Sequence, residues 1–118
     1  MTLQRIETGV RMSQAVVAGG LVFLAGQVAN DTQADVSGQT AQVLAQIDAL
    51  LAKAGSNKSK LVSATIYLKD IGDFAAMNKV WDSWVASDGK PARATVQAAL
   101  ATPAYLVEIQ VVAVGESR

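Results

Sequence analysis

Two charged side chains near the end of the chain have types and settings that suit hydrolytic chemistry. Arg93 lies in the segment PARATV, residues 91–96, and its planar guanidinium can hold a carboxylate by two hydrogen bonds. Glu108 lies in the nearly apolar run LVEIQVVAV, residues 106–114, where a carboxylate can serve as a general base towards water. Both also have structural interpretations: Arg93 as a solvated arginine at a strand end, and Glu108 as an ion-pair partner or an outward-facing charge.

The composition excludes several other chemistries. The 118 residues include no histidine and no cysteine, so Ser-His-Asp and Cys-His nucleophiles, thiol redox centres and zinc sites with imidazole or thiolate ligands are absent. No acidic cluster resembles a magnesium or calcium site. Ten basic residues balance ten acidic ones, which provides no basic surface for nucleic acid. We therefore predict no metal, no cofactor and no nucleic-acid partner.

Periodicity and turn residues predict the elements that position these side chains. Gly19-Gly20 links two apolar runs as a hairpin turn. The helical spacing of apolar residues predicts one helix, and Asp73 is a suitable N-cap for a second with an apolar stripe of Phe74, Met77, Trp81 and Trp84. Met77, Trp81 and Trp84 have the spacing of a cofactor-stacking stripe, but we interpret them as core. The predicted elements are strands 15–18 and 21–29, helix 38–54, strand 61–69, a helix from 74 that ends before Gly89, and strands 92–100 and 105–114.

The order ββαβαββ indicates an α+β fold with one mixed sheet and both helices packed on one face. The last two strands then place Arg93, Thr95 and Gln97 on the uncovered face with Glu108 and Gln110, and Thr65 and Tyr67 join them from the third strand. Apolar residues also alternate towards this face at Val22, Leu24, Val112 and Val114. We therefore expect copies of the chain to associate through it.

A simple hairpin between the last two strands would put Arg93 and Glu108 on one face but about 13 Å apart, since four residues separate their registers. They could not then touch one small ligand. Either another strand lies between these two strands, or a neighbouring subunit completes the site. Gly26 interrupts a strand in LAGQ, which indicates either a bulge or the close approach of a ligand.

The localisation prediction rests on what the chain lacks. The start MTLQRIETG has no apolar signal segment, and no run is long enough to span a membrane. We predict a single cytoplasmic domain over residues 1–118 without membrane contact.

Several segments together resemble the RidA/YjgF family of imine deaminases. The pair PARATV and VEI carries its hallmark, and LVFLAGQ, ATIYLKD and DFAAMN follow the family's second strand, third strand and second helix. The phrases IDALL and WDSWV are most similar to the YoaB-like branch. The resemblance covers nearly the whole chain.

The resemblance implies a chorismate-mutase-like fold and a homotrimer with ligand clefts between subunits. It implies that Arg93 holds the carboxylate of a 2-imino acid and that Glu108 positions the water that releases a 2-keto acid and ammonia. The residues matching Gly26, Asn78 and Thr95 line the cleft. The function implied is that of a 2-iminobutanoate/2-iminopropanoate deaminase, which removes reactive intermediates of amino-acid metabolism without a cofactor.

The sequence departs from the best-known members at three positions. Met12 stands nearest to their tyrosine and cannot donate a hydrogen bond, Ala25 replaces a serine, and Thr95 replaces a cysteine. These departures leave the arginine and the glutamate in place. They also motivate an alternative, a non-catalytic module that binds small carboxylates and regulates a partner.

Overall fold

The computed structural model describes residues 3–115, which form one six-stranded mixed sheet and two helices. The elements are β1 (Leu3–Thr8), β2 (Ser13–Ala18), β3 (Leu21–Leu24), α1 (Val36–Lys53), β4 (Leu61–Leu68), α2 (Phe74–Trp84), β5 (Ala92–Gln97) and β6 (Val107–Val114). The strands lie in the order β1-β2-β3-β6-β4-β5. The predicted α+β class and the order ββαβαββ are confirmed, with β1 as an additional edge strand in front.

The Gly19-Gly20 hairpin joins β2 to β3 as predicted. Both glycines have positive φ, 59° and 79°, which the turn requires and which other residues adopt only with strain. The strand β3 is shorter than predicted and ends at Leu24. Beyond it, Gln27 makes an isolated antiparallel bridge with Ile109 of β6, so the segment around Gly26 stays beside the sheet.

Both helices begin at acidic residues, though not in the same way. Asp35 caps α1, because its Oδ1 accepts a hydrogen bond from Gly38 N at 2.9 Å. A 3₁₀ turn, Ile71–Asp73, precedes α2. Its cap is Asp70, which accepts from Gly72 N at 2.8 Å, whereas the side chain of Asp73 makes no capping hydrogen bond. Asp73 is therefore the N-cap residue of α2 as predicted, but its side chain does not make the hydrogen bond expected of a cap.

The last two strands are not neighbours. Strand β4 lies between them, antiparallel to β6 and parallel to β5. The reason is that β4, α2 and β5 form a crossover unit, which places two parallel strands side by side with the helix on one face. Of the two arrangements that the sequence left open, a separating strand is the one present within the chain.

The helices pack on only one of the two faces of the sheet. The helices lie on the face whose side chains are almost completely buried, among them Ala15, Val17, Val22, Leu24, Ala64, Ile66, Leu68, Ile109, Val111 and Ala113. The opposite face, here called the open face, carries Thr65 beside Gln110 and Tyr67 beside Glu108, as predicted. None of the helices within residues 3–115 is long and apolar enough to cross a membrane.

Several residues predicted for the open face lie on the helix face instead. Val22 and Leu24 are buried in the core. Arg93 pairs with Ala64 and Thr95 with Ile66, both of which point to the helices, and Gln97 accepts a hydrogen bond from Ile71 N in the turn before α2. For Arg93, Thr95 and Gln97 the error follows from the assumed hairpin, because pairing β5 with β4 changes which side chains of β5 face the helices.

Candidate functional site

Arg93 reaches from the edge strand β5 to the first two turns of α2. Its guanidinium carbon lies 5.2 Å from the ring centroid of Trp81 and 5.9 Å from that of Phe74, which is within the range of cation–π attraction. The side chain is partly buried, and the one ion pair among residues 3–115 joins Lys53 to Glu7. The guanidinium therefore faces aromatic rings and has no carboxylate partner in the described chain.

Two buried polar atoms belong to the same region. Asn78 Oδ1 and Thr95 Oγ1 are buried without a hydrogen-bond partner in residues 3–115. Asn78 shares a face of α2 with Phe74 and Trp81 because these positions are four and three residues apart. Thr95 follows Arg93 by two residues on the same face of β5. Since buried polar groups are normally hydrogen-bonded, these atoms could bind polar groups of a ligand. We call Arg93, Asn78 and Thr95 the guanidinium half.

Glu108 lies on the open face in the middle of the sheet, directly against Gly26. A Cβ built at Gly26 would stand 2.1 Å from Glu108 Oε2, so only glycine leaves room for the carboxylate in this position. The bridge between Gln27 and Ile109, with N···O distances of 2.9 and 3.1 Å, fixes this approach. Glu108 is partly buried, and no hydrogen bond or ion pair of its side chain is seen in the described chain.

Met12 lies in the turn between β1 and β2 and is 53% exposed. Together with Gly26 it lines a surface cavity of about 400 Å³. Gln14 supports this wall, because its backbone oxygen accepts from Ala25 N and its Oε1 accepts from Gln27 Nε2, both at 2.9 Å. The other wall of this cavity comes from Gln46, Ala49 and Leu50 of α1, and Glu108 does not line it, so the structure brings Met12 to Gly26 but not to Glu108. We call Glu108 and Gly26 the carboxylate half.

The two halves do not meet within one chain. Tyr67 pairs with Glu108 and Ala64 with Arg93, so the two Cα atoms lie two strands and three residues apart, about 14 Å. The side chains also point to opposite faces, whereas the hairpin arrangement would have placed them on one. A small ligand cannot contact both groups of a single chain.

Sequence reasoning missed the contact of Phe74 and Trp81 with Arg93. The core interpretation is confirmed for Met77 and Trp81, at 0% and 5% exposure, and Trp84 packs against the core partly buried. Phe74, which was given no role beyond the apolar stripe, is 41% exposed. The spacing of Phe74, Asn78 and Trp81 was the available signal, since it places an amide between two rings on one helix face. Within residues 3–115, acidic side chains do not gather into a group that could hold a metal ion.

Known proteins match this chain over almost its full length. The family model described as Endoribonuclease L-PSP matches residues 2–115. The RutC family protein YoaB of Escherichia coli strain K12 is 50% identical over 113 residues, which cover 96% of this chain and 98% of the relative. A RutC family protein of Haemophilus influenzae is 46% identical over 114 residues, with coverage of 96% and 98%.

Solved structures confirm the fold independently of the family model. The crystal structure of a YjgF protein family member from Neisseria meningitidis superposes with a TM-score of 0.95 at 48% identity, and the match covers 100% of this chain and 98% of the other. The predicted membership and the likeness to the YoaB-like branch are confirmed, and the chain belongs to the RidA/YjgF family, whose curated relatives carry the RutC name.

Proposed function

We propose that the protein hydrolyses 2-imino acids, such as 2-iminopropanoate and 2-iminobutanoate, to 2-keto acids and ammonia without a cofactor. The observation that carries this proposal is the pair of half-sites within residues 3–115. One is an arginine that has no carboxylate partner there and lies beside two polar atoms without hydrogen bonds, and the other is a glutamate held against Gly26. Arg93 binds the substrate carboxylate, and Asn78 and Thr95 bind its remaining polar groups. Glu108 orients the attacking water beside Gly26, and Met12 forms part of the cleft wall.

The chemistry needs no group beyond these. A protonated imine is already electrophilic at C2. The water oxygen forms a bond to C2 and Glu108 takes one of its protons, which it returns to the nitrogen of the resulting carbinolamine. The C–N bond then breaks with its electron pair on nitrogen, while the hydroxyl group loses its proton to form the keto C=O, and this proton converts the released ammonia into ammonium. One iminium and one water give one keto acid and one ammonium ion. Holding the substrate by its carboxylate beside an oriented water lowers the barrier by positioning and by proton transfer.

The separation of the halves supports a site shared between subunits. The open face presents Phe23, Val96 and Val114 with 43, 43 and 49% exposure, and exposed apolar patches are typical of interaction surfaces. We place Glu108 of one subunit opposite Arg93 of the next in a homotrimer, as the family resemblance implies. The cytoplasmic location and the role in removing reactive intermediates of amino-acid metabolism are parts of the same proposal.

The family description names an endoribonuclease, and RNA cleavage is a competing activity. Three features favour imine hydrolysis. The net charge is zero and the chain has no histidine, so neither the backbone attraction nor the imidazole acid–base pair common in ribonuclease chemistry is available. The carboxylate-binding geometry of Arg93 suits a small acid.

The test generates imines in situ with an amino-acid oxidase and follows keto-acid release. Wild type accelerates release, Arg93→Ala lowers kcat/KM by about 100-fold or more because the charge-assisted clamp is lost, and Glu108→Gln lowers kcat by about 100-fold. Arg5→Ala, which removes an exposed arginine of β1, is the matched control and keeps wild-type rates.

No acceleration by wild-type protein would contradict the proposal. If keto acids bind to the inactive protein and raise its unfolding temperature, the regulatory carboxylate-binding module replaces the enzyme. The lack of a hydrogen-bond donor at Met12, beside the cavity at Gly26, is the feature that favours that outcome.

A further inference from the structure

The guanidinium of Arg93 lies close to two aromatic rings of α2. Phe74 and Trp81 are two helical turns apart, about 10.5 Å along the axis, and their centroids lie 5.9 and 5.2 Å from the guanidinium carbon. The guanidinium is therefore within the range of cation–π attraction of both rings at once.

This arrangement fixes a side chain that would otherwise be mobile. Arginine has several rotatable bonds, and ordering them costs free energy when a ligand binds. Arg93 stands on the edge strand β5, and within residues 3–115 no carboxylate holds it. The two rings are its described contacts, so they replace the ion pair that usually orders a partly buried arginine.

The rings differ in what else they do. Trp81 is 5% exposed and belongs to the core, so its packing alone would explain its presence. Phe74 is 41% exposed and outside the core cluster, so burial explains little of its position. Its contact with Arg93 is the described interaction that distinguishes it from other exposed apolar residues such as Ile71.

We propose that Phe74 and Trp81 are positioning residues, which hold the Arg93 guanidinium in advance so that its N–H edge receives a planar carboxylate. This inference rests on the proposed function, since it assigns the carboxylate of the imino acid as the ligand. The rings order Arg93 equally in the ground state and in the transition state. Removing a ring therefore raises KM and leaves kcat nearly unchanged.

The experiment measures binding of 2-oxobutanoate by calorimetry and imine hydrolysis by wild type, Phe74→Leu, Phe74→Tyr and Trp81→Leu. Phe74→Leu raises the Kd of 2-oxobutanoate and the KM about two- to fivefold, and Trp81→Leu up to about thirtyfold, the range of exposed and desolvated cation–π contacts. Phe74→Tyr keeps the Kd of 2-oxobutanoate and the KM at their wild-type values, because it keeps the aromatic ring. The kcat of Phe74→Leu stays within about twofold of wild type.

Ile71→Ala is the matched control, because it shortens an exposed apolar side chain near the start of α2 that does not touch Arg93. Should Trp81→Leu fail to fold, Phe74→Leu and Phe74→Tyr decide the matter alone. Equal Kd values for wild type, Phe74→Leu and Trp81→Leu, with binding lost in Arg93→Ala, would overturn the inference and leave the proposed function intact.

The reverse result is equally informative. Ring-dependent binding of 2-oxobutanoate without imine hydrolysis would support the positioning role and overturn the proposed catalysis. A wild-type protein that does not bind 2-oxobutanoate would overturn both.

Discussion

Gly26 leaves room for the carboxylate of Glu108 because it has no Cβ. The carboxylate of Glu108 occupies the volume that a Cβ at this position would need, with Oε2 only 2.1 Å from that point. Gln14 and Gln27 hold the backbone of this segment in place by hydrogen bonds of 2.9 Å. The location of the carboxylate is therefore determined by backbone contacts of its neighbour.

The substitution Gly26→Ala displaces the carboxylate. Its methyl group pushes away the flexible end of Glu108. In the proposed mechanism this misplaces the attacking water, so kcat/KM falls about 10- to 100-fold. The free energy of unfolding changes by less than about 1 kcal/mol, because the side-chain end can move aside without disturbing the core. Imine hydrolysis and urea denaturation measure the two effects.

Gly9→Ala is the control for this prediction. A Cβ at Gly9 would lie 3.7 Å from Met12 O, an ordinary van der Waals contact, so the added methyl group is tolerated and activity is unchanged. If Gly26→Ala is as active as Gly9→Ala, Glu108 does not need its present position, and its role in orienting water is wrong.

For single residues, the sequence predicts which side chains could do chemistry better than it predicts which residues surround them in the fold. Arg93 and Glu108 stand out because a charge interrupts an apolar or small-residue strand. The contact of Gly26 with Glu108 cannot be recognised in the sequence, because it depends on the pairing of Gln27 with Ile109. These two residues are 82 positions apart in the sequence. The glycine indicated a close approach, and the structure identifies what approaches it.

Among the elements, α1 is attached to loops on both sides through one buried amide. Gln39 has 0% exposure, and its Nε2 donates to Ala104 O at 3.1 Å and to Ala34 O at 3.2 Å. Its Oε1 accepts from Leu106 N at 2.9 Å. This side chain holds the connection between β5 and β6 against the helix, two residues before Glu108.

Gln39→Leu lowers the free energy of unfolding by about 1–3 kcal/mol, because it removes the hydrogen-bond partner of the Leu106 N–H and of the Ala34 and Ala104 carbonyl groups at a fully buried side chain. Gln42→Leu costs about 1 kcal/mol or less, since Gln42 bonds to Asp31 at the exposed end of the loop. Urea denaturation compares the two. Equal losses would show that the amide of Gln39 adds nothing beyond that of an exposed glutamine.

The same connection explains why β5 and β6 were predicted as a hairpin. The sequence pattern extended these strands to residues 100 and 105, which left a four-residue link typical of hairpins. In the structure, β5 ends at Gln97 and β6 begins at Val107. The longer loop crosses the end of β4, where Lys69 N donates to Leu106 O at 3.1 Å. Alternation predicts strands well, but their order depends on contacts between distant residues.

The edge strand β1 escaped prediction for a related reason. Its burial is slight, with only Gln4 and Ile6 partly covered, so it shows no apolar pattern to recognise. It forms because β2 offers an unpaired edge, with Leu3 opposite Ala18 and Thr8 opposite Ser13. Elements with a buried face, such as α1 and β4, could be predicted closely, whereas an element held by backbone pairing could not.

At the scale of the whole molecule, the two halves of the candidate site lie on opposite faces of the sheet. The helix face contains the core and, at its edge, the guanidinium half, while the open face carries the carboxylate half among apolar side chains. A single chain therefore presents two incomplete sites on opposite sides. A cyclic assembly with a head-to-tail interface can bring one half of each subunit to the other half of its neighbour.

Mixing inactive variants tests this sharing directly. Arg93→Ala and Glu108→Gln proteins are combined in equal amounts, unfolded and refolded together. If Arg93 of one subunit meets Glu108 of the next in a trimer, about three quarters of randomly assembled trimers are mixed and each contains one intact site of three. The mixture then regains about one quarter of wild-type imine hydrolysis, although each parent is inactive.

The control replaces the Glu108→Gln partner by a chain with both substitutions, which cannot supply an intact Arg93 and therefore restores nothing. Sedimentation of the mixture checks that it assembles as wild type does, at the mass of three 12.3 kDa chains. If activity stays at background in assembled mixtures of the two single variants, the halves do not combine across subunits. The 14 Å estimated between them within one chain would then argue against Arg93 and Glu108 acting on the same substrate at all.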